Sequence, residues 1–175
     1  MTHAQSLAGS PAPLSVLESQ TLLSIPFIGF DGQTRIGELV VHRDLAREVS
    51  EIFRQILLAR FPIEQMLPIV AFNWSDDDSM RANNCSAFNY RVKVGKTGLS
   101  AHATGRAIDI NPRQNPYQSG ELVLPEGAVY DQSARGTLTP GSVPVRVFEG
   151  FGWIWGGLWT SIQDYHHFEK PQLSP

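Results

Sequence analysis

Ser100-Ala101-His102-Ala103-Thr104-Gly105-Arg106-Ala107-Ile108-Asp109-Ile110-Asn111-Pro112 sets two metal-ligating residue types, a turn former and an apolar strand within thirteen positions. In a strand over Ala107 to Ile110, alternation sends Ile108 and Ile110 into a core and leaves Asp109 on the face shared with Ala107, presented from a rigid support. His102 lies seven residues before Asp109 across a turn that Gly105 permits, so the chain can fold back and bring an imidazole and a carboxylate to one point. A zinc ion takes such nitrogen and oxygen donors at about 2.0–2.2 Å.

The second informative segment is Asp164-Tyr165-His166-His167-Phe168-Glu169. Read as a strand over Tyr165 to Glu169, alternation places His167 with Tyr165 and Glu169, and His166 on the opposite face with Phe168. If His167 joins His102 and Asp109, three protein ligands leave a fourth position for water, as in a catalytic zinc site, and Asp164 becomes a candidate acid-base group for that water. On spacing alone a second reading stands beside this one, in which the histidines are buried and merely satisfy hydrogen bonds. His3, in a polar terminus, and His42, just before a helix, are expected at the surface.

Composition narrows the field. The chain has 175 residues, enough for one domain with a real core, and 42% apolar against 18% charged residues fits neither a disordered acidic chain nor a coiled coil. A net charge of −3 excludes the basic footprint of a nucleic-acid binder. No apolar run reaches the roughly 18 residues of a membrane span. The first Lys or Arg is Arg35, so no secretory signal is evident. With Cys85 as the single cysteine, an intrachain disulfide and a thiolate zinc site are both ruled out; it is read as a small packing residue.

Along the chain, residues 1–20 are small, polar and Pro-containing, and are expected to form a flexible extension ahead of a single domain over 21–175. Leu45, Val49, Ile52, Phe53, Ile56 and Leu57 follow a helical period, with Asp44 as expected N-cap and Pro62 beyond the end. Strands are expected over Leu67 to Phe72, Phe88 to Val94 and Ala107 to Ile110, and a short helix over Val143 to Phe151. The acidic run Asp76 to Asp78 lacks the spaced ligands of a calcium loop and is read as a solvated turn. Residues 113–142, rich in Gly, Pro, Ser and Gln, are expected to be a long irregular excursion of functional importance.

Ser100, His102, Gly105, Ala107 and Asp109, followed by Asp164 and His167, resemble the pattern Ser-x-His-x-x-Gly-x-Ala-x-Asp with a later acid-x-x-His. That pattern belongs to the zinc metallopeptidases that include VanY-type and VanX-type D-alanyl-D-alanine peptidases and phage L-alanyl-D-glutamate endopeptidases. The similarity to the VanY-like branch extends through Phe88 to Arg91, Asp109 to Tyr117 and Gly150 to Trp159, about residues 35–170. It implies an α+β fold, a small mainly antiparallel sheet with packed helices and zinc in a groove across the sheet. His102, Asp109 and His167 then ligate Zn2+, Asp164 is the general base where some relatives carry Glu, and Arg91 holds the polarised carbonyl oxygen.

Ser100 is expected to bond substrate or position its loop, and Tyr117 and Trp155, with Trp153 and Trp159, to offer aromatic walls or core. Glu169 is either a partner orienting His167 or a solvent-facing strand residue. The implied reaction is hydrolysis of peptidoglycan stem peptides by a monomer, at a D-Ala-D-Ala terminus, through Asp-assisted attack of a zinc-bound water. An L-alanyl-D-glutamate endopeptidase, or a non-catalytic cell-wall peptide-binding module on the same fold, are the alternatives. A Ser-His-Asp hydrolase is disfavoured, since no Gly-x-Ser-x-Gly elbow occurs. Such a substrate places the protein outside the cytoplasm, as a remodelling enzyme or a phage lysin.

Overall fold

The computed structural model describes residues 1–93, 95 and 97–172. In chain order its elements are α1 (His3–Ser6), α2 (Leu14–Glu18), β1 (Gln20–Ile28), β2 (Thr34–His42), α3 (Ala46–Leu58), β3 (Gln65–Met66), α4 (Asp76–Arg81), β4 (Asn84–Cys85), β5 (Ala107–Asp109), β6 (Tyr117–Ser119), β7 (Leu122–Leu124), α5 (Val143–Gly150), β8 (Ile154–Trp155), β9 (Gln163–Asp164) and β10 (His167–Glu169). The class is α+β, with short, mainly antiparallel sheets and few helices, as the resemblance implies.

β1 and β2 form the longest hairpin, in a stretch where the sequence shows no usable period. Its turn is built on Asp31, whose side chain accepts from the Gln33 amide at 3.0 Å, and on Gly32 at φ +82°. Ile25, Phe27, Leu39 and Val41 of the hairpin face α3, which returns Val49, Ile52, Phe53 and Ile56 from one stripe. A short helical turn, Arg43–Leu45, leads into α3, and its cap is His42, which accepts from the Asp44 amide at 3.3 Å, rather than Asp44 itself. α5 closes the other side of the core: Phe148 meets Phe53 edge-on at 6.2 Å and stacks on Phe168 at 4.0 Å.

The sheet β5-β10-β8 divides core from site. His167 pairs with Asp109 and Phe168 with Ile108 across β10 and β5. Strand alternation therefore turns Phe168 and Ile108 into the core and leaves His167 and Asp109 together on the other side.

Several expected elements differ. Residues 3–18 carry two short helices, tied down by a Thr2 capping box and by Trp74, whose indole donates to the Ala8 carbonyl at 3.0 Å. Pro68 breaks the apolar run after Met66, so Ile69–Phe72 is a 3-10 turn and not a strand. Asp76, Asp77 and Asp78 form the first turn of α4 rather than a loop turn, because the Ser75 hydroxyl accepts from the Asp78 amide at 3.2 Å and carboxylates suit a helix N-terminus, while Asp77 and Asp78 are exposed as expected.

Phe88 to Lys93 is irregular apart from a bridge between Val92 and Leu99, and Val94, the last residue of the expected strand, lies outside the described residues. The excursion over 113–142 contains the hairpin β6-β7, turned at Gly120 (φ +58°), and β6 pairs onward with β9.

Candidate metal centre

Ser100 starts the site. Its hydroxyl accepts from the His102 amide at 3.3 Å and caps the helical turn Ala101–Thr104 that carries His102. Gly105 ends that turn at φ +67°, packed so closely on Gln20 and the His42 amide that a Cβ there would collide with both. The chain leaves this turn straight into β5. The preceding irregular segment is laced to the same turn: the Asn89 amide donates to the His102 carbonyl at 3.1 Å and the Ser100 amide to the Arg91 carbonyl at 3.0 Å.

The result brings His102, Asp109 and His167 together, all buried, at 1%, 3% and 7% exposure. His102 Nε2 lies 3.1 Å from Asp109 Oδ2 and 3.1 Å from His167 Nδ1, and His167 Nδ1 lies 3.0 Å from Asp109 Oδ1. Tetrahedral donors about 2.0–2.2 Å from a common zinc are separated by about 3.3–3.6 Å, and the two imidazole nitrogens, at 3.1 Å, need to part by only a few tenths of an ångström, each having one Asp109 oxygen beside it.

The imidazole tautomers suit the same task. His102 Nδ1 sits 2.5 Å from the Ala87 carbonyl, which can only accept, so that nitrogen carries the hydrogen and Nε2 keeps its lone pair. For His167 the roles are reversed: Nε2 faces Glu169 Oε2 at 3.4 Å and Nδ1 is the free donor atom. Glu169 therefore orients His167 rather than standing in solvent.

Charge is concentrated here. Burial alone pushes His167 down, but bonds to Asp109 and Glu169 outweigh it and hold the ring's pKa up at about 10. Burial likewise pushes Asp109 up, and the surrounding imidazoles His102, His166 and His167 overcome it and hold the carboxyl well below its ordinary range. Cys85 lies nearby, fully buried, its thiol pushed up by burial first and by the Asp109 charge second; it serves packing.

His166 is not on the opposite face. β10 begins only at His167, so strand alternation does not reach back to His166, and its ring turns toward the site. It is 4% exposed, with Nδ1 2.7 Å from the Asn115 carbonyl and Nε2 3.0 Å from Asp164 Oδ1 and 4.0 Å from Asp109 Oδ2. Asp164 stands on β9 directly opposite Tyr117.

A groove of about 530 Å3 opens over these residues, with Arg91, Ser100, Tyr117, Trp159, Asp164 and His167 in its lining and Leu122 and Leu124 of the β6-β7 hairpin on one wall. Arg91 Nη2 pairs with Asp76 Oδ2 at 2.9 Å, and Asp76 Oδ1 accepts from Asn89 at 3.2 Å, so the guanidinium is held by a carboxylate that is itself anchored. Trp155, expected as a groove wall, is instead a core residue: it is 1% exposed and its indole donates to the Tyr165 carbonyl at 2.8 Å. Alternation along β8 turns it inward, and Trp159, with its ring 5.6 Å from His167, takes the wall position. His3 is exposed and His42 half-buried, both apart from the cluster.

Asp76 and His166 were not legible as site residues. For Asp76 the available signal was Ser75 ahead of three acids, a helix-start pattern that fixes where the first carboxylate points.

The chain matches no curated protein and no solved structure, whereas a family model described as D-alanyl-D-alanine carboxypeptidase matches residues 94–170. Arg91 and Asp76 precede that span. The span contains Ser100, His102, Gly105, Ala107, Asp109, Asp164 and His167, and over residues 94–170 the match supports the resemblance to the VanY-like D-alanyl-D-alanine carboxypeptidases.

Proposed function

We propose that this protein is a zinc-dependent peptidase that trims peptidoglycan stem peptides, removing the last residue of a D-Ala-D-Ala end. The observation that carries the reading is the buried triangle of His102, Asp109 and His167, of which His167 lines a groove that Asp164 also lines. Those three side chains would hold Zn2+, which when bound polarises the scissile carbonyl and lowers the pKa of a water to about 7.

The chain's own residues do the rest. The Asp164 carboxylate takes a proton from the attacking water and returns it to the nitrogen of the departing alanine, so that one group serves as base and then acid. The Arg91 guanidinium, fixed by Asp76, faces the carbonyl oxygen as negative charge develops on it. Ser100 has its hydroxyl committed to the His102 amide, which suits a positioning role and not a nucleophile. Tyr117, Trp159, Leu122 and Leu124 supply walls for the peptide. The substrate implies action outside the cytoplasm, and no described helix is long and apolar enough to cross a membrane. A single subunit holds all these groups, consistent with a monomer.

The test is mass spectrometry of purified pentapeptide muropeptides incubated with the zinc-loaded protein, with and without a strong chelator. Loss of one terminal alanine that the chelator abolishes supports the reading. Release of a peptide headed by D-Glu moves the activity to the endopeptidase kind, and an unchanged pentapeptide refutes hydrolysis of this substrate.

A further inference from the structure

The buried His166 has no part in the reading above, and its surroundings are specific. It is 4% exposed between β9 and β10, and each ring nitrogen meets an oxygen: Nδ1 the Asn115 carbonyl at 2.7 Å, Nε2 the Asp164 Oδ1 at 3.0 Å. Asn115 is itself immobilised. Its side-chain amide donates to the carbonyls of Ile110, Asn111 and Gly136, and its oxygen accepts from the Leu138 amide at 2.7 Å. A carbonyl only accepts, so Nδ1 carries a hydrogen and holds the ring with Nε2 beside the carboxylate, which, as an acceptor too, calls for a second hydrogen on Nε2. Asp164 Oδ1 is buried and has no in-line hydrogen-bond donor among the described residues, so the imidazole 3.0 Å away is what compensates it.

We infer that His166 is a positioning residue for Asp164: through Nε2 it fixes one carboxylate oxygen and leaves the other directed into the groove for the water's proton. This inference rests on the peptidase reading of the site. The backbone explains why the role fell to this residue. β9 ends at Asp164, β10 starts at His167, and the two-residue link between them is held by the Tyr165 amide, which donates to the Pro116 carbonyl at 3.2 Å. Asn115 and Pro116 thus anchor the link from the side of the excursion over 113–142, joining the groove-wall hairpin to the acid-base carboxylate.

Two amide substitutions separate the functions of the two ring nitrogens. In His166→Gln the side-chain nitrogen falls near Nε2 and can still reach Asp164; in His166→Asn it falls near Nδ1 and can reach only the Asn115 carbonyl. The measurements are kcat and KM on purified pentapeptide muropeptide and Zn2+ affinity by competition with a chromogenic chelator. His166→Asn is expected to lower kcat by about 10- to 100-fold with KM and Zn2+ affinity near wild type, whereas His166→Gln keeps most of kcat.

Equal kcat for His166→Asn and the wild type overturns the inference. So does an equal loss in both variants, or a loss of kcat that follows loss of Zn2+, since either makes the ring a structural support of the ligands. Wild-type protein that leaves the muropeptide intact refutes the peptidase reading itself, which keeps the two failures apart.

Discussion

His102 Nε2 and His167 Nδ1 stand 3.1 Å apart, and each ring turns its other nitrogen onto a fixed acceptor, the Ala87 carbonyl for His102 and Glu169 for His167. Two buried imidazoles in that arrangement, with a carboxylate across from both, form a group that could hold a metal ion.

Removing one ligand should remove the metal. His102→Ala and His167→Ala are each expected to lose Zn2+ binding as measured by competition with a chelator. Asp109→Ala should in addition destabilise the fold by about 3–5 kcal/mol in urea titration of metal-stripped protein, because it leaves imidazolium charge buried without its counter-ion. In the wild type, saturating zinc at 1,000 times its Kd should add about 4 kcal/mol, read as a raised Tm.

Metal affinity should rise with pH. His167 is held protonated up to about 10 by Asp109 and Glu169, against the opposing effect of burial, and must lose that proton to ligate. One displaced proton gives about a tenfold gain in Zn2+ affinity per pH unit through neutral pH. The sign for stability is opposite in metal-stripped protein. A histidine raised above its unfolded value of about 6.5 contributes fully below that pH and loses its contribution as pH climbs through about 10, so Tm should fall between those limits.

Asp164→Asn should separate binding from turnover. The amide keeps the shape beside His166 and cannot take a proton, so Zn2+ affinity is expected to hold while kcat falls by about 10²- to 10⁴-fold on pentapeptide muropeptide. An Asp164→Asn variant with full kcat removes Asp164 from the mechanism.

Arg91→Ala is expected to lower kcat/KM by about 10²- to 10³-fold through loss of the charge facing the oxyanion. Asp76→Asn, which loosens the guanidinium without removing it, should cost less, about tenfold, with no change in metal binding.

The two tryptophans should behave differently. Trp155→Ala, in the core, is expected to cost about 3–5 kcal/mol of stability, whereas Trp159→Ala, on the groove wall, should raise KM with little change in Tm. Parallel urea titrations and steady-state kinetics check both.

How far the sequence revealed these features depended on how local they are. Ser100, His102, Gly105 and Asp109 act within one capped turn and one strand, so their spacing carried the geometry directly. The α3 stripe was readable for the same reason. The β1-β2 hairpin was not: Pro26 interrupts β1, and Leu39, Val40 and Val41 are buried in succession, so period-two alternation is lost, although Asp31-Gly32 marks its turn. Trp155 and His166 were misplaced because their orientation depends on where two short strands begin, which only long-range pairing fixes. Asp76 reaches Arg91 across the chain, and nothing in local spacing shows that contact.

The most direct measurement is the anomalous scattering map of crystals grown with stoichiometric Zn2+. The account predicts one peak about 2.0–2.2 Å from His102 Nε2, the Asp109 carboxylate and His167 Nδ1, with His166 outside the ligand shell. A peak coordinated by His166, or no peak among these side chains in protein shown to retain zinc, would contradict it.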